Sequence, residues 1–188
     1  MRNVVVLLFV GCLFLSCKNE SQADISIHKV YNSLELIEKL KAVMTENDSV
    51  GLTLFTELCK SYGMIATKDT AIVKDYIAKL NFDNPTALAF LPLNTPDGEE
   101  LVSVIVYEQT PLLIETVTLS ISLRENQEYE GRFKFADADK WERITQENVG
   151  RQLALAVNGV IKSAPIVNEP ITGGHCSVIG PDLDKLLK

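Results

Sequence analysis

The residues of this chain that are best suited to chemistry are its two histidines and four cysteines. His175 and Cys176 follow a Gly-Gly pair, and a thiol beside an imidazole is the pairing that cysteine nucleophiles use. Neighbours on an extended strand point to opposite faces of a sheet, however, so these two side chains would not act together as nucleophile and base. We therefore expect both to be structural, and the sequence predicts no catalytic residue.

Other kinds of reactive site are disfavoured by residue spacing. His28 lies far from His175 in the chain, and neither belongs to a Cys/His cluster with the spacing of metal ligands. Gly173-Gly174 lacks the Lys-Ser/Thr that completes a phosphate-binding loop, and it precedes an expected strand where such a loop requires a helix. The carboxylates near Asp137 are interpreted as solvated helix charges. We expect no metal, no cofactor and no enzyme.

The charge balance disfavours nucleic acid as a partner. Asp and Glu total 25 against 18 Lys and Arg, the formal net charge is −7, and the basic residues form no cluster. Such a surface does not attract phosphate backbones or anionic lipid headgroups. Any attachment to a membrane would need another source.

The first residues are typical of an export signal. Met1-Arg2-Asn3 is positively charged, and Val4 to Leu15 is almost wholly apolar. Twelve helical residues span roughly 18 Å, which is too short for a hydrocarbon core of about 30 Å. We therefore interpret residues 1–16 as a signal peptide and not as a membrane span.

The end of this signal resembles a bacterial lipobox, Leu13-Phe14-Leu15-Ser16-Cys17, with Phe14 where the pattern commonly has leucine. In a lipoprotein Cys17 would carry the lipid and become the mature N-terminus. The alternative is an ordinary signal cut nearby, with an incidental cysteine. We favour the lipoprotein because a small residue precedes Cys17 and polar residues follow it. The prediction is an envelope protein that is anchored to a membrane by its lipid.

Two cysteines remain beyond the proposed lipid site, Cys59 and Cys176. They could form one disulfide in an oxidising envelope, or remain two buried thiols. We favour the thiols, since a lone pair of distant cysteines makes no framework.

The spacing of apolar residues predicts helices that are separated by turn residues. Residues 18–32 are interpreted as a tether with an irregular or extended end, and Ser33 as the N-cap of the first helix. The predicted helices are Ser33 to Met44, Leu52 to Tyr62, one that starts at Asp69 or Thr70 and ends before Asn84-Pro85, Ala138 to Gln146, and a short one from Pro181.

Alternating polar and apolar residues predict strands in the second half of the chain. Val117, Leu119, Ile121 and Leu123 would share one buried face, as in an antiparallel sheet that is covered on one side. Asn158-Gly159 is the dipeptide best suited to a type I′ hairpin turn. The predicted strands are 86–93, 101–107, 116–123, 129–135, 153–157, a return strand from Val160, and 175–179. The expected fold class is α+β, an antiparallel sheet with helices packed on one face.

Residues 135–180 carry a specific series of motifs. It begins with Phe135 and continues with residues that we expect to define the fold: Trp141, Asn148, Gly150, Arg151, Asn158, Gly159 and Gly180. With Ser163-Ala164-Pro165 and Gly173-Gly174 in the same order, the series resembles the head subdomain of the first periplasmic domain of SecD or fused SecDF. Asn158 stands where that family usually has aspartate, and Pro181 where it usually has an aromatic residue.

The resemblance continues more weakly upstream and covers about residues 68 to 188. Together with the signal and the helical spacing described above, it divides the chain into a lipoprotein signal peptide (1–16), a tether (17–32), an N-terminal helical segment (33–66) and a SecD head-like α+β domain (67–188). In the parent proteins the head is mobile, contacts the substrate, and helps a proton-coupled channel to draw exported chains across the inner membrane. This sequence shows neither the base nor the membrane helices of those proteins, so we do not expect it to act as a motor by itself.

The resulting hypothesis is a non-enzymatic protein of the bacterial envelope, lipid-anchored to a membrane with its domain in the periplasm. It would bind unfolded exported polypeptide or a translocase component as an accessory to protein export or folding. The alternative is a structural or interaction lipoprotein that keeps the fold and binds an unrelated envelope partner. Because loops often carry function, Ser163, Ala164, Pro165, Gly173 and Gly174 are the candidate contact residues, although turn geometry alone would also account for them.

Overall fold

A computed structural model describes residues 19–44, 53, 55–56, 65–94, 100–125, 128–180, 183 and 185 of the chain. The strands are β1 (Asn19–Lys29), β2 (Ile65–Thr67), β3 (Thr86–Asn94), β4 (Glu100–Glu108), β5 (Leu113–Leu123), β6 (Tyr129–Lys134), β7 (Leu153–Val157), β8 (Val160–Ser163) and β9 (His175–Gly180). The helices are α1 (Ser33–Val43), α2 (Thr70–Ala78) and α3 (Ala138–Glu147).

The architecture is α+β with antiparallel sheets and helices, which confirms the predicted class. The strands form two sheets where a single one was expected. The larger sheet has the order β8-β7-β1-β5-β6-β9, and the smaller one has the order β2-β4-β3. Each sheet has helices on one face: α3 on the six-stranded sheet, and α1 and α2 on the three-stranded sheet.

The structure corrects the tether expected over residues 17–32. Residues 19–29 form β1, which lies inside the six-stranded sheet between β5 and β7. Ile25 and Ile27 of β1 are fully buried in the core that α3 covers. The segment is therefore part of the folded domain.

β1 buries two polar residues. Ser26 and His28 are both buried, and the Ser26 Oγ lies 2.8 Å from the His28 Nε2. The other ring nitrogen, Nδ1, lies 2.9 Å from the backbone carbonyl oxygen of Glu108. Because these buried groups satisfy one another, the strand can be buried despite its polar sequence.

The boundary expected between residues 66 and 67 falls inside a packed unit. β2 spans it, and α1 from one side packs with α2 from the other over the three-stranded sheet. The shared core contains the buried residues Leu36, Leu40, Phe55, Val73, Ile77 and Val106. The helical segment 33–66 and the start of the region 67–188 thus form one structural layer.

The helix ends follow the capping rules, with one shift from expectation. Asn32, and not Ser33, is the N-cap of α1: its side-chain oxygen accepts from Glu35 N at 2.9 Å, and the Glu35 carboxylate accepts from Asn32 N at 3.0 Å. This reciprocal pair is a capping box. Asp69 caps α2, as one of the two expected candidates. The expected helix Leu52 to Tyr62 lies outside the described residues apart from 53, 55 and 56.

The alternation predicted for β5 is observed except at its end. Val117, Leu119 and Ile121 are buried, whereas Leu123 is exposed, because it ends the strand at the rim of the sheet. Over this face, the rings of Phe133, Phe135 and Trp141 pack against one another with centroids 5.1–5.3 Å apart. These aromatic contacts fix α3 on the six-stranded sheet.

The two sheets pack through the opposite face of β7. Ala154 and Ala156 of β7 form a small buried cluster with Val30 and Ile105, and Ala89 packs against it from β3. Small side chains at this contact let the two backbones approach closely. β7 is consequently buried on both faces, which explains why every one of its residues is inaccessible.

A buried carboxylate ties the end of β1 to β4. The Glu108 Oε1 accepts hydrogen bonds from Lys29 Nζ at 3.1 Å and Tyr31 Oη at 3.2 Å, and Oε2 accepts from Asn84 Nδ2 at 3.1 Å. Burial alone would raise the pKa of Glu108, but the hydrogen bonds from Lys29 and Asn84 outweigh it, so this pKa is lowered. The pKa of Tyr31 is raised to about 12, by burial first and then by the Glu108 charge.

Positive φ angles shape the two turns that were singled out in the sequence. Asn158 (φ 49°) and Gly159 (φ 78°) have the left-handed conformation that a type I′ turn requires. Asn158 also accepts a hydrogen bond from Asp24 N at 2.9 Å through its Oδ1, which holds the hairpin against β1. Gly173 and Gly174 have φ of 72° and 76°.

In the described part of the chain, no helix has both the length and the apolar character needed to cross a membrane.

We predict that Glu108→Gln destabilises the fold by about 2 kcal/mol at neutral pH, because a neutral amide cannot accept from three donors in the same way. Since the pKa of Glu108 is lowered in the folded state, its stabilisation is present above the unfolded pKa and is lost as the pH falls through the folded value. We therefore expect the difference in the free energy of unfolding between the two proteins, measured with urea, to be smaller at pH 3 than at pH 7. A difference that stays constant with pH would contradict this role.

Gly173→Ala and Gly174→Ala form a matched pair. Both glycines have positive φ, which costs an alanine about 1–2 kcal/mol. A Cβ on Gly174 would also lie 2.6 Å from the backbone oxygen of Phe135, whereas the nearest atom to one on Gly173 is 3.6 Å away. We expect Gly174→Ala to lower the free energy of unfolding by about 2 kcal/mol more than Gly173→Ala does. Equal losses in urea unfolding would rule out the steric contribution.

Candidate functional site

The two sheets diverge beyond their small shared cluster and leave an open wedge of about 760 Å³ between them. Ile105 belongs to that cluster and Ala164 packs against it, and both also line the wedge. The residues that line it come from β3, β4, β8, β9 and the segments beside them: Leu91, Pro92, Leu93, Ser103, Ile105, Glu128, Gln152, Lys162, Ser163, Ala164, Pro165, Ser177 and Ile179.

One of the two predicted contact loops lies in this wedge. Ser163 ends β8, and Ala164 and Pro165 continue along the same edge. The Ala164 carbonyl accepts from Gln152 Nε2 at 2.9 Å, and the Pro165 carbonyl accepts from Leu153 N at 3.1 Å. The turn that proline introduces is thus fastened at both carbonyls, so this wall of the wedge is a fixed surface.

The second predicted contact loop lies elsewhere. Gly173-Gly174 precedes β9, beside a shallow hollow of about 590 Å³ whose lining includes His175 and Cys176. The Gly174 carbonyl accepts from Phe135 N at 3.0 Å, which starts the pairing of β9 with β6. Pro165 and Ser177 line both the hollow and the wedge. The structure therefore places the two loops on neighbouring surfaces and not in one site.

The fold-motif residues organise the segment between the two loops. The Thr145 Oγ1, at the end of α3, accepts from Ile171 N at 2.9 Å and donates to the Trp141 carbonyl at 3.1 Å. Gly150 N donates to the Val167 carbonyl at 2.7 Å. These bonds hold residues 166–171 against the end of α3, over an apolar cavity of about 270 Å³ that Trp141 helps to line.

Three further motif residues have positions with a clear structural purpose. The Asn148 Nδ2 donates to the Ile144 carbonyl at 2.8 Å and so caps the end of α3. The Arg151 Nη1 lies 3.2 Å from the Glu35 Oε1, an exposed ion pair that links this segment to α1. Gly180 is the last residue of β9 and pairs with Tyr129 of β6.

The histidine and cysteine beside the hollow do not form a reactive pair. Cys176 is half-buried and free, and burial raises the pKa of its thiol to about 11, so it stays protonated at neutral pH. Its backbone pairs with Phe133, while exposed His175 pairs with Lys134. Cys17 and Cys59 lie outside the described residues. Among the residues with described positions, no three His, Cys, Asp or Glu side chains are grouped as metal ligands would be.

Sequence reasoning missed the apolar walls of the wedge. Leu91, Leu93 and Ile179 come from strands that were predicted, but the two sheets that bring them together were not. One signal was present in the sequence: residues 86–94, Thr-Ala-Leu-Ala-Phe-Leu-Pro-Leu-Asn, contain no charged residue. In the structure, most of these side chains are partly buried. A strand with one buried face and one solvated face would instead alternate between buried and exposed side chains.

Comparison with known proteins identifies the region that carries one wall of the wedge. Residues 114–184 match the family model described as SecDF, P1 head subdomain. The match includes α3, β6 to β9 and nearly all of β5, and it leaves out β1 and the three-stranded sheet.

Curated SecD and SecDF proteins are similar to parts of this chain. The chain is 42% identical over 60 residues to the protein translocase subunit SecD of Acidaminococcus fermentans, covering 32% of this chain and 12% of that protein. It is 32% identical over 94 residues to SecD of Borreliella burgdorferi (50% and 14%), and 37% identical over 43 residues to SecDF of Thermus thermophilus (23% and 6%). The chain thus spans only a small part of the length of these relatives.

One similar solved structure is described as a membrane component SecDF that enhances protein export. The alignment covers 89% of this chain and 62% of the SecDF chain, with a TM-score of 0.40 and 15% sequence identity. A SecDF structure in a super-membrane-facing form aligns with a TM-score of 0.37, also at 15% identity, over 90% and 28% of the two chains. With the match over residues 114–184 and the SecD relatives, we conclude that this chain carries a SecD head-like domain.

Proposed function

We propose that this protein is a lipid-anchored protein of the bacterial envelope that binds unfolded polypeptide, without catalysis, as an accessory to protein export. The observation that carries the proposal is the wedge between the two sheets, one wall of which belongs to the SecD head-like domain. The relatives that match this domain are named as subunits of the protein translocase.

The lining of the wedge suits an extended, unfolded chain. Its walls are apolar at Leu91, Leu93 and Ile179, which would accept apolar side chains of many kinds and shapes. Its rim carries polar groups, among them Gln152 and Lys162, that can hydrogen-bond a peptide backbone. Broad apolar contact with few directional groups favours binding that tolerates many sequences, which is what exported chains require.

The proposed partners follow from the same features. An exported polypeptide would occupy the wedge, and a translocase component would contact the domain, as the names of the relatives suggest. The formal net charge of −7 leaves nucleic acid outside the proposal. The domain would face the periplasm and would be held on the membrane by a lipid on Cys17.

We predict that Ile179→Glu weakens binding of an unfolded polypeptide by about tenfold, because a charge in the wedge replaces apolar contact worth roughly 1.4 kcal/mol. Ile114→Glu is the matched control: Ile114 is 66% exposed on β5 and lies outside the wedge, whereas Ile179 is 37% exposed within it. The probe is a reduced and alkylated secreted protein, with affinity measured by fluorescence anisotropy. Equal affinities for the two variants would remove the wedge as the binding site.

We predict that Cys17→Ala releases the protein from the membrane pellet into the soluble fraction of lysed cells, since the acyl chains would then be absent. Cys12→Ala is the control, because Cys12 lies inside the proposed signal peptide and should leave membrane attachment unchanged. Recovery of Cys17→Ala in the pellet, at the level of the unaltered protein, would argue against lipid anchoring.

A further inference from the structure

β3 is an edge strand whose hydrogen-bonding pattern can be assigned residue by residue. Within the described residues it ends the order β2-β4-β3 and pairs only with β4. Thr86 lies opposite Glu108, and next to this pair Gln109 N donates to the Pro85 carbonyl at 2.8 Å. In an antiparallel ladder this bond marks the 86–108 pair as non-hydrogen-bonded.

The alternation then continues along the strand. Ala87, Ala89 and Leu91 direct their backbone groups towards β4. Leu88 and Phe90 direct their N–H and C=O groups to the outer edge, and Pro92, which has no N–H, falls in the same phase. At the start of β3, the Thr86 carbonyl accepts a hydrogen bond from Gln109 Nε2 at 3.1 Å. Among the described residues, the part of the edge that pairs with no other strand therefore starts at Leu88.

The outer edge of β3 is also held by packing and carries no charge of its own, although Lys74 of α2 contacts it, with its Nζ 4.9 Å from the centre of the Phe90 ring. Leu88 and Phe90 pack against the core under α1 and α2, whereas Ala89 and Leu91 pack towards the six-stranded sheet. Both faces of β3 are thus fixed by packing, so little conformational entropy would be lost when another strand pairs with it. Natural edge strands usually carry lysine or an inward-pointing charge that prevents such pairing, and no residue from Thr86 to Asn94 is charged.

The geometry points to β3 as the site where an extended, uncharged segment of the bound polypeptide adds a strand, through the outward N–H and C=O groups of Leu88 and Phe90. This inference rests on the proposed function and specifies its mode. The same strand carries Leu91 and Leu93, which line the wedge, so one segment can use the backbone edge and place side chains in the wedge. Main-chain pairing supplies affinity that does not depend on sequence, as an unfolded client requires.

The test uses a blocked seven-residue peptide of alternating valine and threonine as the probe, with the full-length protein in detergent micelles. Alternate residues of a strand direct their N–H groups to opposite edges. Two methylated peptides are compared with the parent, one N-methylated at every valine and one at every threonine. We expect one of them to lose at least about tenfold in affinity while the other stays within about threefold of the parent.

A pair of variants tests the protein side. Leu88→Pro removes the outward N–H, and Leu88→Ala loses similar packing but keeps that N–H; circular dichroism checks that both fold. The parent peptide should bind Leu88→Pro at least about fivefold more weakly than Leu88→Ala.

The outcomes separate this inference from the proposed function. Equal effects of the two methylation patterns, together with equal binding by the two Leu88 variants, would overturn strand addition. If Ile179→Glu still weakened binding in that case, the wedge would remain the binding site without the edge. Failure of both the parent peptide and the unfolded protein probe to bind would overturn the proposed function as well.

Discussion

The pairing of β1 with both β5 and β7 is the constraint on which the rest of the structure depends. Without this strand the six-stranded sheet would separate into β8-β7 and β5-β6-β9, because no other described strand joins these two groups. The chain leaves β1 through Val30 and Tyr31, whose backbone bonds to β4 set the position of the smaller sheet. Glu108 then fixes that junction with side-chain hydrogen bonds from three residues. The wedge lies between the two sheets that these contacts hold together.

Elements with strong local patterns could be predicted from the sequence. The alternation in β5, the Asn158-Gly159 turn and the cap at Asp69 each reflect an interaction among near neighbours, and each is observed. β1 was not predicted, because its burial depends on partners that are distant in the chain. Ser26 and His28 can be buried only because the Glu108 carbonyl, some eighty residues later, completes their hydrogen bonds. The segment itself does not contain these partners, so its burial could not be predicted locally.

The same distinction applies to the candidate site. Ser163-Ala164-Pro165 could be singled out because proline and the preceding hairpin define a turn locally, and the structure places these residues in the wedge. Leu91 and Ile179 could not be singled out, because they come from different sheets and line one cavity only through the packing of those sheets. The Gly173-Gly174 loop was predicted on equally local grounds, and its geometry is explained by its close contact with Phe135 and the start of β9. Local signals identified turns; the cavity between sheets is a tertiary property.

The place of β1 in the sheet also determines how the domain would be oriented above a bilayer. The strand begins at Asn19, two residues after Cys17, so a lipid there would leave a connection of only about 7 Å in place of a long flexible linker. Asn19 lies opposite Ile121, and the register through Gly131 of β6 leads from there to Val178 of β9, next to Ile179. With a lipid on Cys17, this end of the six-stranded sheet, where Ile179 lies, would be held close to the lipid headgroups.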